Sequence, residues 1–169
     1  MERKIFFVDI CNTLADVNGQ LNLQGYQTNM YPAAIPADVF TAGLFRQAEP
    51  IWQVVNLVKR LSERYSIVYL TARRESVRQV TLEWLKGYSL PAGPVIHTGS
   101  RLKGELVREL ANLDWIAGAI EDSPQEIARY AEAIPGIRLL VPEWPHNEGV
   151  AMGMRIPTTK EDTVNEKVV

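Results

Sequence analysis

The sequence predicts an α/β fold in which a five-stranded parallel sheet is covered by helices on both faces. Two observations carry this. Short apolar, β-branched runs alternate with segments whose apolar residues recur at helical spacing. The polar residues that end three of those runs, Asp9, Thr71 and the pair Glu121-Asp122, all fall where a strand should stop.

Ile5-Phe6-Phe7-Val8 reads as a buried strand ending at Asp9. Residues 12–49 hold no sustained period, are punctuated by Gly19, Gly25, Pro32, Pro36 and Gly43, and read as an irregular loop carrying at most a small cap. Within it Asn18-Gly19 suits a tight hairpin turn near residues 17–20. Pro50 then opens a helix, with Ile51, Val54, Val55, Val58 and Leu61 on one stripe and Lys59 and Arg60 near its end. Ser66 to Leu70 is a second strand, ending at Thr71. Val77, Val80, Leu82, Trp84 and Leu85 mark a helix that stops near Gly87. Pro94-Val95-Ile96 is a brief third strand, and Leu102, Leu106, Val107 and Leu110 mark the next helix. Trp115 to Ile120 is a fourth strand, ending at Glu121-Asp122, and Pro124 opens a helix reaching about Ala133. Ile137, Leu139, Leu140 and Val141 form a fifth. Beyond Pro145 the apolar pattern fades, so the domain is assigned to 1–145 and a C-terminal tail to 146–169. The last ten residues, rich in Thr, Lys, Glu and Asp, read as a mobile tail.

A chain of 169 residues, 46% hydrophobic and 22% charged, can bury one real core and suits a single globular domain. A net charge of -2 and a pI near 5.7 argue against a general nucleic-acid binder. A local excess of Lys and Arg over residues 59–108 stands as either a basic patch or a set of solvated helix faces. Cys11 is the sole cysteine, so no intrachain disulfide forms, which fits a reducing compartment. The first residues do not read as a signal peptide and no stretch approaches the ~20 apolar residues of a membrane helix, so a cytoplasmic protein without a membrane partner is expected.

In an open parallel sheet, ligands bind beyond the carboxyl ends of the strands. There the sequence places Asp9, Thr71-Ala72-Arg73 and Glu121-Asp122, with Lys103 opening the helix before the fourth strand. Oxygen ligands such as Asp9 and Asp122 suit Mg²⁺. A carboxylate can attack phosphorus, and the hydroxyl of Thr71 and ammonium of Lys103 can hold phosphoryl oxygens. Backbone N–H groups in the turn after Asp9 can add an anion nest. Singly, each has a plainer reading: a turn or cap Asp, a Thr or acidic pair capping a helix, a solvated Lys. Their common order and position favour a joint site.

These residues resemble the motifs of the haloacid dehalogenase superfamily. Its strand followed by Asp-x-Asp-x-Thr/Val is similar to Asp9-Ile10-Cys11-Asn12-Thr13; its Thr or Ser after a strand to Thr71; its Lys to Lys103; its acidic pair to Glu121-Asp122. The resemblance spans about residues 4–141 and implies a three-layer, Rossmann-like core with a small or minimal cap. It implies a Mg²⁺-dependent phosphomonoester hydrolase using an aspartyl phosphate. Asp9 would be nucleophile and metal ligand. The Cys11 carbonyl and Asp122 would be further ligands, with Glu121 an indirect ligand or partner of Lys103. Asn12, Thr13, Thr71, Ala72 and Lys103 would bind phosphate, and Arg73 would lie near the substrate. Two branches are similar: 5'(3')-nucleotidases, through residues 36–50, Thr71-Ala72-Arg73 and Pro145-His146-Asn147; and polynucleotide 3'-phosphatases, through Thr71 to Glu75 and Lys103 to Asp122. Both imply phosphate esters of nucleotides or nucleic-acid ends, so the expected partner is a small phosphorylated substrate; a monomer and a homodimer both stay open.

One position departs from the pattern. The family's second Asp is the general acid–base, and here it is Cys11. A thiol has a reference pKa near 8.5 against about 3.9 for Asp and donates weakly. The expectation is a slow phosphatase; the alternative is a degenerate phosphate-binding or regulatory module. A dinucleotide-binding enzyme is disfavoured because no Gly-x-Gly-x-x-Gly follows the first strand. His97 and His146, each just past a strand, stand as structural residues or leaving-group contacts. Tyr26, Tyr31, Phe40 and Phe45 stand as the small core of a lid, or as surfaces on which a base stacks.

Overall fold

The computed structural model describes residues 3–110 and 112–158. Its first strand, β1 (Ile5–Val8), alternates faces: Phe6 and Val8 enter one buried cluster and Phe7 the other. Both faces of β1 are therefore apolar, as a central strand requires. After β1 the chain turns into a two-residue strand β2 (Ala15–Asp16) and helix α1 (Val17–Leu23). Helix α2 (Ala42–Gln47) follows, and then β3 (Glu49–Pro50), antiparallel to β2. The β2–β3 pair closes residues 17–48 into a small cap at the end of β1.

The expected hairpin at 17–20 is instead the first turn of α1. Asp16 caps it by accepting from the Gly19 N–H at 2.7 Å, and Val17 and Leu21, one turn apart, are buried. A cap hydrogen bond and one apolar stripe outweigh the Asn-Gly turn signal. Residues 12–49 thus hold two helices, α1 and α2, where the sequence reads an irregular loop.

The remaining core runs as predicted: α3 (Trp52–Leu61), β4 (Ser66–Thr71), α4 (Arg78–Gly87), β5 (Val95–His97), α5 (Lys103–Leu110), β6 (Ile116–Ile120), α6 (Pro124–Ala133) and β7 (Leu139–Pro142). Val54, Val55 and Val58 of α3 and Val80 and Trp84 of α4 pack with Phe6 and Val8. Val107 of α5 and Ile127 and Tyr130 of α6 pack with Phe7 on the opposite face. The result is three layers, helices on both sides of a parallel sheet.

With β8 (Met154–Ile156) the sheet has six strands, one more than expected, in the order β5-β4-β1-β6-β7-β8. The additional strand, β8, runs parallel to β7, with Val141 opposite Arg155. A three-residue strand containing Arg155 leaves little apolar signal. Gly153 turns into it at φ 88°, where a Cβ would lie 2.6 Å from Val141 Cγ2. Regular structure therefore extends beyond residue 145, with one turn of helix at Pro145–Asn147 and then β8. The ten residues read as mobile lie outside the described ones. Among the described residues no helix is long and apolar enough to cross a membrane.

Strand order reverses at β1: the chain adds β4 and β5 on one side, then β6, β7 and β8 on the other. A crevice opens at such a switch point, at the carboxyl end of β1.

Candidate active site

Asp9 sits at the end of β1, its N–H donating to the Ile120 carbonyl at 3.0 Å, so β1 and β6 deliver Asp9 and Glu121-Asp122 side by side. Lys103, at the start of α5, reaches between them. Its Nζ lies 2.5 Å from Asp9 Oδ1 and 2.7 Å from Glu121 Oε2, with all three side chains buried. Its own N–H is held by Glu126 Oε2 at 2.8 Å. Asp122 accepts from Thr13 Oγ1 at 3.3 Å and, through Oδ2, pairs with His146 Nε2 at 2.7 Å.

Asp9, Glu121 and Asp122 each present an oxygen within 4.8 Å of the others. Asp9 and Glu121 share one buried ammonium and Asp122 leans on His146, which leaves an excess of negative charge on three buried carboxylates. The titration shifts register this excess. Burial, augmented by the neighbouring acids, pushes Glu121 well above the usual carboxylate range, only partly offset by Lys103. Burial likewise pushes Asp122 up to about 6, against the lowering effect of its bond to His146. Lys103 is pulled down by burial, but Asp9, Glu121 and Tyr130 together outweigh that and hold it well above the usual ammonium range. A hard divalent cation corrects this imbalance, and an all-oxygen donor set is the one Mg²⁺ prefers. The triad is a site suited to Mg²⁺.

The turn after Asp9 is built for a tight reversal. The Ile10 carbonyl accepts from Thr13, Leu14 and Ala15, and Asn12 adopts φ 57°, a conformation its short polar side chain tolerates. Asn12 Oδ1 accepts from the Asn18 N–H at 2.8 Å, and its carbonyl accepts from Trp144 Nε1 at 2.6 Å.

A cavity of about 500 Å³ opens over this cluster. Asp9, Cys11, Asn12, Ala72, Lys103, Glu121 and Asp122 line it. Thr13 and Thr71 are fully buried behind its wall; Thr71 Oγ1 accepts from the Arg73 N–H at 3.3 Å. Arg73 is placed differently from the sequence expectation of a substrate neighbour. It is buried, is not among the lining residues, and turns back under the cap. Its guanidinium carbon lies 4.1 Å from the Phe45 ring centroid, Nη1 donates to Thr81 Oγ1 at 3.1 Å, and Nε donates to Cys11 Sγ at 3.1 Å. Burial pushes the Cys11 thiol up, despite the nearby Arg73 charge.

Of the two histidines, His146 lines the cavity, whereas His97 is turned toward the Arg73 carbonyl, 2.9 Å from Nδ1. Asn147 enters the sequence reading only within the run Pro145-His146-Asn147, with no role of its own. It is buried and donates from Nδ2 to the Asp122 carbonyl and to the Pro142 carbonyl, each at 2.9 Å. The Pro-His-Asn run after the fifth predicted strand was the available signal. The aromatic residues of the cap divide: Phe45 is core, while Tyr31 and Phe40, partly exposed, join Met30 and Ile35 in the cavity wall.

No protein-family profile matches the chain, and no curated protein sequence does. Solved structures do. A haloacid dehalogenase-like family protein from Streptococcus pneumoniae superposes with a TM-score of 0.65 at 15% identity, covering 93% of this chain and 94% of that one. A HAD family hydrolase from Deinococcus radiodurans R1, with bound phosphate and sodium, gives 0.61 at 14% identity, with coverage of 94% and 91%. A chain of the Pnkp1/Rnl/Hen1 complex gives 0.57 at 19% identity, covering 79% of this chain and 45% of that longer one. The fold of the chain is that of the haloacid dehalogenase-like hydrolases.

Proposed function

We propose that this chain is a Mg²⁺-dependent phosphomonoester hydrolase that works through an aspartyl phosphate on Asp9, with nucleotides or phosphorylated nucleic-acid ends as substrates. The observation that carries the proposal is the buried Asp9–Glu121–Asp122 triad, with Lys103 bridging two of its members at the floor of an open cavity. Asp9 is the nucleophile. Lys103 takes one of its oxygens, fixing the carboxylate and offering positive charge to the phosphoryl group. Asp9, Asp122 and the Cys11 carbonyl would hold Mg²⁺, with Glu121 orienting Lys103. When bound, the ion neutralises the charge gathered on the phosphoryl oxygens and the carboxylates. Asn12 and its turn, with Thr13, Thr71 and Ala72 behind and beside it, shape the phosphate pocket. Arg73 acts on position 11 rather than on substrate.

The substrate class rests on the cap. Tyr31, Phe40, Met30 and Ile35 leave an apolar, aromatic wall facing the cavity, which suits a flat leaving group more than a bare sugar. The likeness to a chain of an RNA repair complex, at 16% identity and a TM-score of 0.52, points the same way. The test is phosphate release from nucleoside monophosphates and 3'-phosphorylated oligonucleotides, set against glycerol phosphate. The proposal expects the former to win, and expects Tyr31→Ala and Phe40→Ala to raise KM for them alone. Equal rates on all three, unmoved by those substitutions, would remove the nucleotide assignment.

Cys11 supports a second reading, a phosphate-binding module with little turnover. Its thiol is pushed up by burial and engaged by Arg73, so it is poorly placed to protonate a leaving group. Tight phosphate binding without hydrolysis of any ester would select that reading.

A further inference from the structure

We infer that His146 is a positioning residue for the cation site, fixing the Asp122 carboxylate and tying it to cap helix α1. The inference rests on the reading of Asp9, Glu121 and Asp122 as cation ligands. His146 is nearly enclosed, its side chain 5% exposed, and both ring nitrogens have partners. Nε2 lies 2.7 Å from Asp122 Oδ2, and Nδ1 lies 3.3 Å from the side-chain nitrogen of Asn18 in α1. An amide nitrogen only donates, so Nδ1 accepts and the ring proton sits on Nε2, where it donates to the carboxylate. One neutral tautomer satisfies both contacts.

The ring itself is held. Trp144 stacks against it at 6.5 Å between centroids and 13° between planes, and Tyr31 approaches on a tilt at the same distance. Trp144 is in turn anchored on the Asn12 carbonyl, within the turn that follows Asp9. The next residue, Asn147, grips the Asp122 main chain at its carbonyl. Consecutive residues thus clamp Asp122 by side chain and by backbone, and Arg155 of β8 locks Asn147 from behind through its Oδ1 and carbonyl at 3.1 and 2.8 Å. Hydrogen-bond partners that orient a ligating group typically set metal affinity by 10–100-fold.

The experiment is a Mg²⁺ titration of the full chain without substrate, followed by calorimetry. His146→Phe keeps a ring beside Trp144 and Tyr31 but removes both nitrogens, and is expected to raise the Mg²⁺ Kd by about 10–100-fold. His146→Gln returns an N–H at the reach of Nε2 and is expected to restore most of the affinity. A merely structural histidine would lower thermal stability in His146→Phe while leaving the Kd at the native value, and that result overturns the inference. Should His146→Phe not fold, His146→Asn, whose shorter amide does not reach Asp122, takes its place against His146→Gln with the same two outcomes. A native chain that binds no Mg²⁺ overturns the cation site and the inference together; native binding with unchanged affinity in the variants overturns the role of His146 alone.

Discussion

At the scale of single residues, the pairing of Cys11 with Arg73 explains most about expected rate. Arg73 presents a planar fork, yet a thiol takes only one of its prongs: Nε reaches Sγ while the buried Nη2 has no hydrogen-bond partner. A carboxylate at position 11 can accept from this fork through one oxygen and keep the other free for the acid–base role that the thiol lacks. Cys11→Asp is therefore expected to raise phosphate release from a poor leaving group by up to about 10²–10⁴-fold. Steady-state rates on an alkyl phosphate check this, and an unchanged rate would show that position 11 does not limit turnover. Lys103→Met strips the ammonium from two buried acids. Removing one partner of a buried pair costs about 3–5 kcal/mol, read by denaturant unfolding. Asp9, Lys103, Glu121 and Asp122 were legible in the sequence because each stands at the end of a strongly periodic element. The direction of Arg73 and the pairing of His146 were not. They depend on partners 62 and 24 residues away, which no local period specifies.

Among the elements, the close packing of α5 on α6 sets where Lys103 can reach. Gly104 follows Lys103, and a Cβ there would lie 2.6 Å from the Arg129 carbonyl oxygen, so the backbones touch at that point. Gly104→Ala must push α5 off α6. Overpacking of this kind costs about 1–3 kcal/mol, and phosphate release should fall with it as the neighbouring ammonium leaves Asp9. Chemical denaturation and a single kinetic assay test both halves; a fully active, equally stable variant would show that α5 has slack. Helices α3 to α6 were readable because each buries one stripe against the sheet. Helix α1 was not, because its Asn-Gly reads as a turn until Asp16 is seen to cap it. Strand β8 was not, because three residues with an Arg at the centre look like a tail until they pair with β7.

Over the whole molecule, the reversal of strand order at β1 gathers acids from β1 and β6 in one dry mouth, and that concentration has a thermodynamic signature. Asp122 titrates near 6 in the folded chain against 3.8 ordinarily, and Glu121 is raised as well. The folded state thus retains protons that the unfolded state releases. This contribution to stability is fully present below about pH 4 and lost as pH rises through about 6. The cation-free chain should lose stability across that interval, and Mg²⁺, which binds the ionised carboxylates, should raise Tm more at about pH 7.5 than at about pH 5. Thermal melts with and without the ion decide this; equal Tm shifts at the two pH values would deny that the ion engages the titrating acids. The central claim, that Asp9 attacks phosphorus in a cation-dependent site, is tested most directly by phosphate release from an aryl phosphate, whose good leaving group needs no acid. The account predicts Mg²⁺-dependent turnover in the native chain, none in Asp9→Asn and an increase in Cys11→Asp; absence of turnover in both the native chain and Cys11→Asp would contradict it.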